Sequence, residues 1–272
     1  MGMAASASGT LRLGEVTIEI AETGRGKPLL FLHAGHPAGR PELGAPALTA
    51  LARSYRVIAP THPGFGRDAA PSSLTTIDDL AYLYLDLVEE LDLHGVVLVG
   101  AGLGGWIAAE MAVKSTVRLS NLVLIDAVGI KPGGREDRDI ADIYAILDKE
   151  LIALSYADPA KGTPDKSKLS EDEFLYMAKS REATARYTWS PYMHDPKLMG
   201  RLHRIQLPTL VLWGEADKIV SPDYGRKFAA AIPGARFALI KNAGHLPYLE
   251  QPQAFADNIL AFVEAKVPET AA

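Results

Sequence analysis

The chain has 272 residues, with 28 Lys and Arg against 33 Asp and Glu, 24 Gly, 18 Pro and no cysteine. That length, with 48% hydrophobic residues, suits one large α/β domain with a substantial core and excludes a disordered or fibrous chain. The net charge of -5 argues against a nucleic-acid-binding surface, and the missing cysteines exclude disulfides, thiolate metal sites and thiol nucleophiles together.

Residues 1–9 are small and polar, and they and residues 266–272 read as flexible termini. The first nine lack the charged start and apolar run of a signal peptide. Met1-Gly2-Met3-Ala4-Ala5-Ser6 fits the loose myristoylation pattern, which is too short and common to adopt. No apolar run approaches the ~20 residues of a membrane span. The expectation is a soluble cytoplasmic protein with no membrane and no nucleic-acid partner.

Short apolar runs then recur, each closed by Gly, Pro or Asp. Leu29–Leu32 precedes a loop from His33 to Gly44, and Arg56–Ala59 runs into Pro60-Thr61-His62-Pro63-Gly64-Phe65-Gly66. Val96–Val99 ends at Gly100, Leu122–Ile125 at Asp126 and Thr209–Trp213 at Gly214, while Phe237–Ile240 precedes Asn242-Ala243-Gly244-His245. Each run is apolar on both faces, as a parallel strand covered by helices on both sides must be. Helical patterns alternate with them: Thr76–Leu91, with Asp78 and Asp79 near its start as the helix dipole favours, Trp106–Val113, Pro222–Ala231 and Pro252–Val263. Strand and helix in alternation predict a parallel α/β sheet. The rhythm breaks from 128 to 202, where two charged helical segments are expected, roughly Asp137–Tyr156 and Ser170–Tyr187. The division is therefore a core of residues 10–127 and 203–265 with a helical cap of residues 128–202, placed over the strand ends where open α/β sheets bind ligands.

The turn after Val96–Val99 supports two readings. Gly100, Gly102 and Gly105 spell G-x-G-x-x-G between a strand and a helix, with Asp126 21 residues beyond Gly105. Those are the conditions for a dinucleotide site of an NAD or FAD oxidoreductase. The same turn also frames Gly102 between Gly100 and Gly104 as G-x-X-x-G, the form of a nucleophile elbow. Three further features accompany the second reading. Asp217 follows a strand, His245 follows the next one 28 residues later, and Leu32-His33-Ala34-Gly35-His36 follows an early strand.

Together with Pro60–Gly66, these motifs resemble the α/β-hydrolase superfamily, and specifically its capped branch of meta-cleavage-product hydrolases, epoxide hydrolases and dehalogenases. The resemblance runs from Leu29 to Val263. It implies an α/β-hydrolase fold, a mostly parallel central sheet with helices on both faces and a helical cap insertion. It implies a His245–Asp217 pair and an oxyanion hole from the Gly35 and Leu103 N–H groups. It implies a pocket near His36 and the aromatic cap segment with Trp189, Tyr192 and Met193. Asp126 is a reserve acid, because some members keep their acid after that strand.

The sequence departs from the family at the nucleophile. Position 102 is glycine, and neither Ala101 nor Leu103 can attack. A Ser→Gly change made to trap a ligand would read identically. Otherwise His245 acts as a base, on water or on a substrate proton, without a covalent step. The first reading is an enzyme acting on a small carbonyl compound by hydrolysis or C–C or C–O cleavage. The alternatives are a small-molecule-binding protein on the same fold and, behind it, the oxidoreductase. His33 and His36 have no carboxylate close in sequence, so neither a metal nor a cofactor is expected. His62 is placed near the pocket, His94 and His203 at the surface, and Trp106 in the core. A homo-oligomer is compatible with the sequence.

Overall fold

In the computed structural model, which describes residues 7–35, 45–66, 69–162 and 170–265, eight strands form one sheet. They are β1 (Ala7–Leu13), β2 (Val16–Thr23), β3 (Lys27–Leu32), β4 (Tyr55–Pro60), β5 (Val96–Ala101), β6 (Leu119–Ile125), β7 (Thr209–Gly214) and β8 (Arg236–Ile240). The order is β1-β2-β4-β3-β5-β6-β7-β8. Pairs β1–β2 and β2–β4 are antiparallel and the rest are parallel. This is the α/β-hydrolase fold expected from the motifs.

Two elements differ at the N-terminus. Residues 7–9, expected as flexible, belong to β1, and β2 was not anticipated. A two-residue connection joins them, with Leu13 opposite Val16 and Gly14 at φ 59°. In β2 the buried Val16 and Ile18 alternate with exposed Thr17 and half-buried Glu19, the period-2 pattern of a strand with one face on the core. The strand at the edge of the sheet needs no such pattern, which is why Ala7-Ser8-Gly9-Thr10 carries none.

Helices α1 (Pro46–Leu51), α2 (Ile77–Glu90) and α3 (Gly102–Lys114) lie in the first half. Between β6 and β7 come α4 (Asp148–Ser155), α5 (Pro159–Gly162), α6 (Glu171–Thr188) and α7 (Leu198–Arg201). Then follow α8 (Pro222–Ala230), α9 (Pro247–Glu250) and α10 (Pro252–Glu264). Helix α2 starts where the dipole and cap direct it: Thr76 Oγ1 accepts the Asp79 N–H at 3.1 Å and Asp79 Oδ2 accepts the Thr76 N–H at 2.8 Å. Ser170 and Glu173 repeat that box at α6. Residues of α2, α3 and α8 cover one face of the sheet, and those of α1, α9 and α10 the other. That two-sided cover explains the buried apolar runs Leu29–Leu32, Val57–Ala59, Val96–Val99, Leu122–Ile125 and Leu210–Trp213 within β3 to β7.

The helix expected over Asp137–Tyr156 is only α4. Residues 140–145 spend their backbone groups elsewhere. Ala141 N–H bonds Ile219 O at 2.9 Å, Tyr192 Oη bridges Ala141 O and Ile143 N, and Asp142 Oδ1 takes the Tyr144 and Ala145 N–H groups. A segment so tied cannot also close i→i−4 bonds. Helix α6 is anchored to the core through Tyr187 Oη on Pro63 O (3.0 Å) and Arg186 Nε on Leu74 O (2.9 Å). No described helix is long and apolar enough to cross a membrane.

Trp213 is the largest fully buried side chain and its Nε1–H donates to Val220 O at 3.0 Å, joining β7 to the loop that carries Asp217. Replacing it with Ala is expected to cost about 3–5 kcal/mol, read as a lower urea midpoint. A loss under about 1 kcal/mol, the range of volume-conserving swaps, would contradict this packing.

Candidate active site

Strand β5 turns into α3 at Gly102, where φ is +50°. An L side chain adopts that backbone only at a cost of about 1–2 kcal/mol, and glycine carries no such cost. The turn is also cramped. A Cβ on Gly104 would stand 2.2 Å from Leu32 O. A Cβ on Gly102 itself would stand 3.0 Å from Ala34 Cβ and 3.2 Å from Ala34 O. The space a nucleophile would need is thus bordered closely by the segment after β3.

Asp217 and His245 meet at the ends of β7 and β8. His245 Nδ1–H donates to Asp217 Oδ2 at 2.8 Å, both residues being buried. Asp217 Oδ1 accepts the N–H groups of Ile219 (2.8 Å) and Val220 (3.1 Å), so the carboxylate is held on both oxygens. That fixes the tautomer and leaves Nε2 as the basic nitrogen of a ring that lines the cavity.

Asp126 is fully buried beside this pair, the three residues placing ligand-type atoms within 4.8 Å of one another. Its Oδ1 accepts the Gly214 N–H at 2.8 Å, and its backbone is left-handed, at φ 43°. Burial, and next the charge of Asp217, push its carboxyl well above the usual carboxylate range. The cluster has the composition of a metal site, but Asp217 is already committed to His245 and two amides, and Asp126 Oδ2 is buried without a hydrogen-bond partner.

The expected oxyanion amides are both engaged. Leu103 N–H donates to Ala34 O at a long 3.3 Å, and Gly35 N–H points to His33 Nδ1 at 3.1 Å. His33 Nε2 is approached at 3.0 Å by the His62 N–H as well. A neutral imidazole has one lone-pair nitrogen, so the two amides compete for it. Both rings are buried and stacked, with centroids 3.8 Å apart. Burial holds His33 well below its ordinary range, with the neighbouring His62 adding to it, and pushes His62 down to about 4. Tyr84 Oη contacts His62 Nδ1, and His62 Nε2–H donates to His33 O at 3.0 Å. His62 is therefore buried behind the pocket loop. The amides at the start of α3 face this backbone, with Gly104 N–H on His33 O at 3.1 Å, which is not the open cradle a pyrophosphate needs.

His245 lines a partly open, mainly apolar cavity. Gly35, Leu103 and Met193 line it among apolar neighbours such as Val128, Ile140 and Leu151. Two expected pocket residues do not line it. Trp189 is 62% exposed, its ring 5.6 Å edge-on to Tyr144, and Tyr192 is used in bracing residues 141–143. His36 lies outside the described residues. His94 and His203 are at the surface and Trp106 is buried.

The cap adds residues that sequence reasoning passed over. Arg181, on α6, reaches the cavity with its guanidinium 6.0 Å from the Tyr144 ring centroid and Nη1 3.3 Å from Asp148 Oδ1. Thr184 Oγ1 is 2.9 Å from Gly35 O, tying the cap to the loop after β3. Nothing in Glu171–Thr188, a run with many charges, marks Arg181 as the one that lines the cavity.

Asp126 yields a test. Its folded carboxyl titrates above the unfolded one, so its contribution is fully present below about pH 4 and is lost as pH rises toward its folded value. Asp126→Asn keeps the acceptor for Gly214 and removes the ionisation. Its Tm relative to the parent should therefore climb from about pH 4 upward. A difference that is flat with pH would contradict a proton-bearing Asp126.

Residues 29–258 match the model of the alpha/beta hydrolase family. The 2-hydroxy-6-oxo-6-(2'-aminophenyl)hexa-2,4-dienoic acid hydrolase of Metapseudomonas resinovorans is 26% identical over 268 residues, covering 95% of this chain and 91% of that protein. A 2-hydroxy-6-oxononadienedioate/2-hydroxy-6-oxononatrienedioate hydrolase of Cupriavidus pinatubonensis is also 26% identical, over 92% of this chain and 91% of that one. Among solved structures, a serine hydrolase involved in carbazole degradation superposes with a TM-score of 0.73 at 24% identity, covering 95% of this chain and 99% of that one. The strand order, the cap between β6 and β7 and these matches agree: the chain belongs to the alpha/beta hydrolase family and is a hydrolase-like enzyme.

Proposed function

We propose that the protein cleaves a small, largely apolar carbonyl compound bearing an anionic group, using His245 and Asp217 without a covalent step. The observation that carries this is the 2.8 Å His245–Asp217 bond at the wall of an apolar cavity that Leu103, the residue after Gly102, also lines. Arg181 supports the anionic group, as a cation at a cavity otherwise lined mainly by hydrocarbon. The names of the two relatives describe hydrolases of oxo acids, which combine a carbonyl with a carboxylate.

In this reading His245 Nε2 takes a proton from water as the oxygen bonds to the substrate carbonyl carbon. The carbonyl electron pair moves to oxygen and returns as the C–C or C–O bond breaks. The departing fragment carries that bond's electron pair and takes the proton back from His245. Asp217 stabilises the imidazolium. The developing oxyanion needs the Gly35 and Leu103 N–H groups. When the His62 N–H holds the His33 lone pair, the Gly35 N–H is released, and the long Leu103–Ala34 contact is the weaker bond to give up.

His245→Ala should lower kcat on a 2-hydroxy-6-oxo-dienoic acid by about 10²–10⁴-fold, the range of general-base catalysis. Full activity in that variant would end this mechanism. Thermal stabilisation by the same acid, with no product formed by the parent protein, would favour the ligand-binding alternative instead. Arg181→Gln should raise KM about tenfold or more for the acid, as loss of a charged hydrogen bond implies, and leave a neutral ester almost unchanged. Equal effects on both would remove Arg181 from substrate recognition. Gly102→Ser alone meets Ala34 and should gain little esterase activity. Paired with Ala34→Gly it should gain about tenfold over either single change, a barrier difference of about 1.4 kcal/mol.

A further inference from the structure

Glu250 is a buried carboxylate in α9, five residues beyond His245, and no step above uses it. It accepts three backbone N–H groups from two separate parts of the molecule. Its Oε2 takes the Gly244 N–H at 2.6 Å, on the loop that ends in His245. Its Oε1 takes the Ala157 N–H at 3.1 Å and the Asp158 N–H at 3.2 Å, at the end of α4 in the cap. Lys161 Nζ also donates to the Glu250 backbone carbonyl, at 3.3 Å.

The same seam has further contacts. The last carbonyls of a helix lack partners within it. In α4 they are taken by the loops of the dyad: His245 N–H donates to Ser155 O at 2.7 Å and Lys218 N–H to Leu154 O at 3.2 Å. The backbones touch so closely that a Cβ on Gly244 would stand 2.3 Å from Ser155 O. One turn back on α4, Leu151 lines the cavity. The base and a wall of the substrate cavity therefore share one short helix.

We propose that Glu250 is a positioning residue that clamps the His245 loop to α4, so that the cap sets the place of the base. The proposal rests on the reading of His245 as base, and its test has readouts that need no turnover. Amide hydrogen exchange is followed by NMR at Gly244, Ala157 and Asp158, along with the downfield Nδ1–H signal of His245. In the parent protein the three amides should open together, with one opening constant. In Glu250→Ala they should exchange about 10- to 100-fold faster, as loss of bonds to a charged acceptor implies, and the Nδ1–H signal should broaden. Glu250→Gln, with one carbonyl oxygen left, should keep protection on one side of the seam and lose it on the other. With the 2-hydroxy-6-oxo-dienoic acid, both variants should lose kcat more than they change KM.

Should Glu250→Ala fail to fold, the Gln variant and the parent protein still decide. An unchanged His245 signal and unchanged Gly244 exchange in a folded variant would overturn the clamp. Independent opening of Gly244 and Ala157 in the parent would do the same. If the clamp behaves as described while His245→Ala keeps its activity, the base reading fails and the structural coupling stands.

Discussion

Helix α3 begins against another stretch of backbone, and the site is arranged around that contact. Gly104 N–H reaches His33 O and Leu103 N–H reaches Ala34 O, an approach open only because position 104 has no Cβ. The contact fixes the β5–α3 turn relative to the segment after β3. Through Thr184 on Gly35 O it also reaches the cap. It also narrows the space at Gly102, where a Cβ would stand 3.0 Å from Ala34 Cβ and 3.2 Å from Ala34 O.

Three carboxyl groups lie buried in this corner, and each meets the cost of burial differently. Asp217 pairs with an imidazole and two amides. Glu250 has no imidazole and relies on backbone N–H groups alone. Asp126 has a single amide, and burial pushes its carboxyl well above the usual carboxylate range. The four bonds to the Gly214, Gly244, Ile219 and Val220 amides fall at or just beyond the ends of β7 and β8, so the acids also shape the turns that carry Asp217 and His245.

Much of the fold was legible because parallel strands buried on both faces leave uninterrupted apolar runs, as at Leu29–Leu32 and Val96–Val99. Asp217 and His245 were legible by their order and by their place after strands. Strand β1 was not, because a largely exposed edge strand has no need of apolar residues. The irregular path of residues 137–147 was hidden for a different reason: its backbone partners, Ile219 and Tyr192, are far away in sequence. Arg181 and Glu250 escaped on similar grounds. One is a charge among charges whose direction depends on helix packing, and the other is satisfied by main-chain groups that carry no residue code. Trp189 misled because an aromatic residue in a cap can as easily face water as a ligand.

The stacked His33 and His62 have a consequence for the whole molecule. Burial holds both below the ordinary histidine range in the folded protein, whereas in an unfolded chain each takes up a proton near pH 6.5. Acid therefore draws on the unfolded state first. For His62 the loss begins below about pH 6.5 and runs down to about 4, amounting to roughly 3 kcal/mol. The stack that holds the loop after β3 against the Pro60–Gly66 turn is thus also an acid limit on the fold.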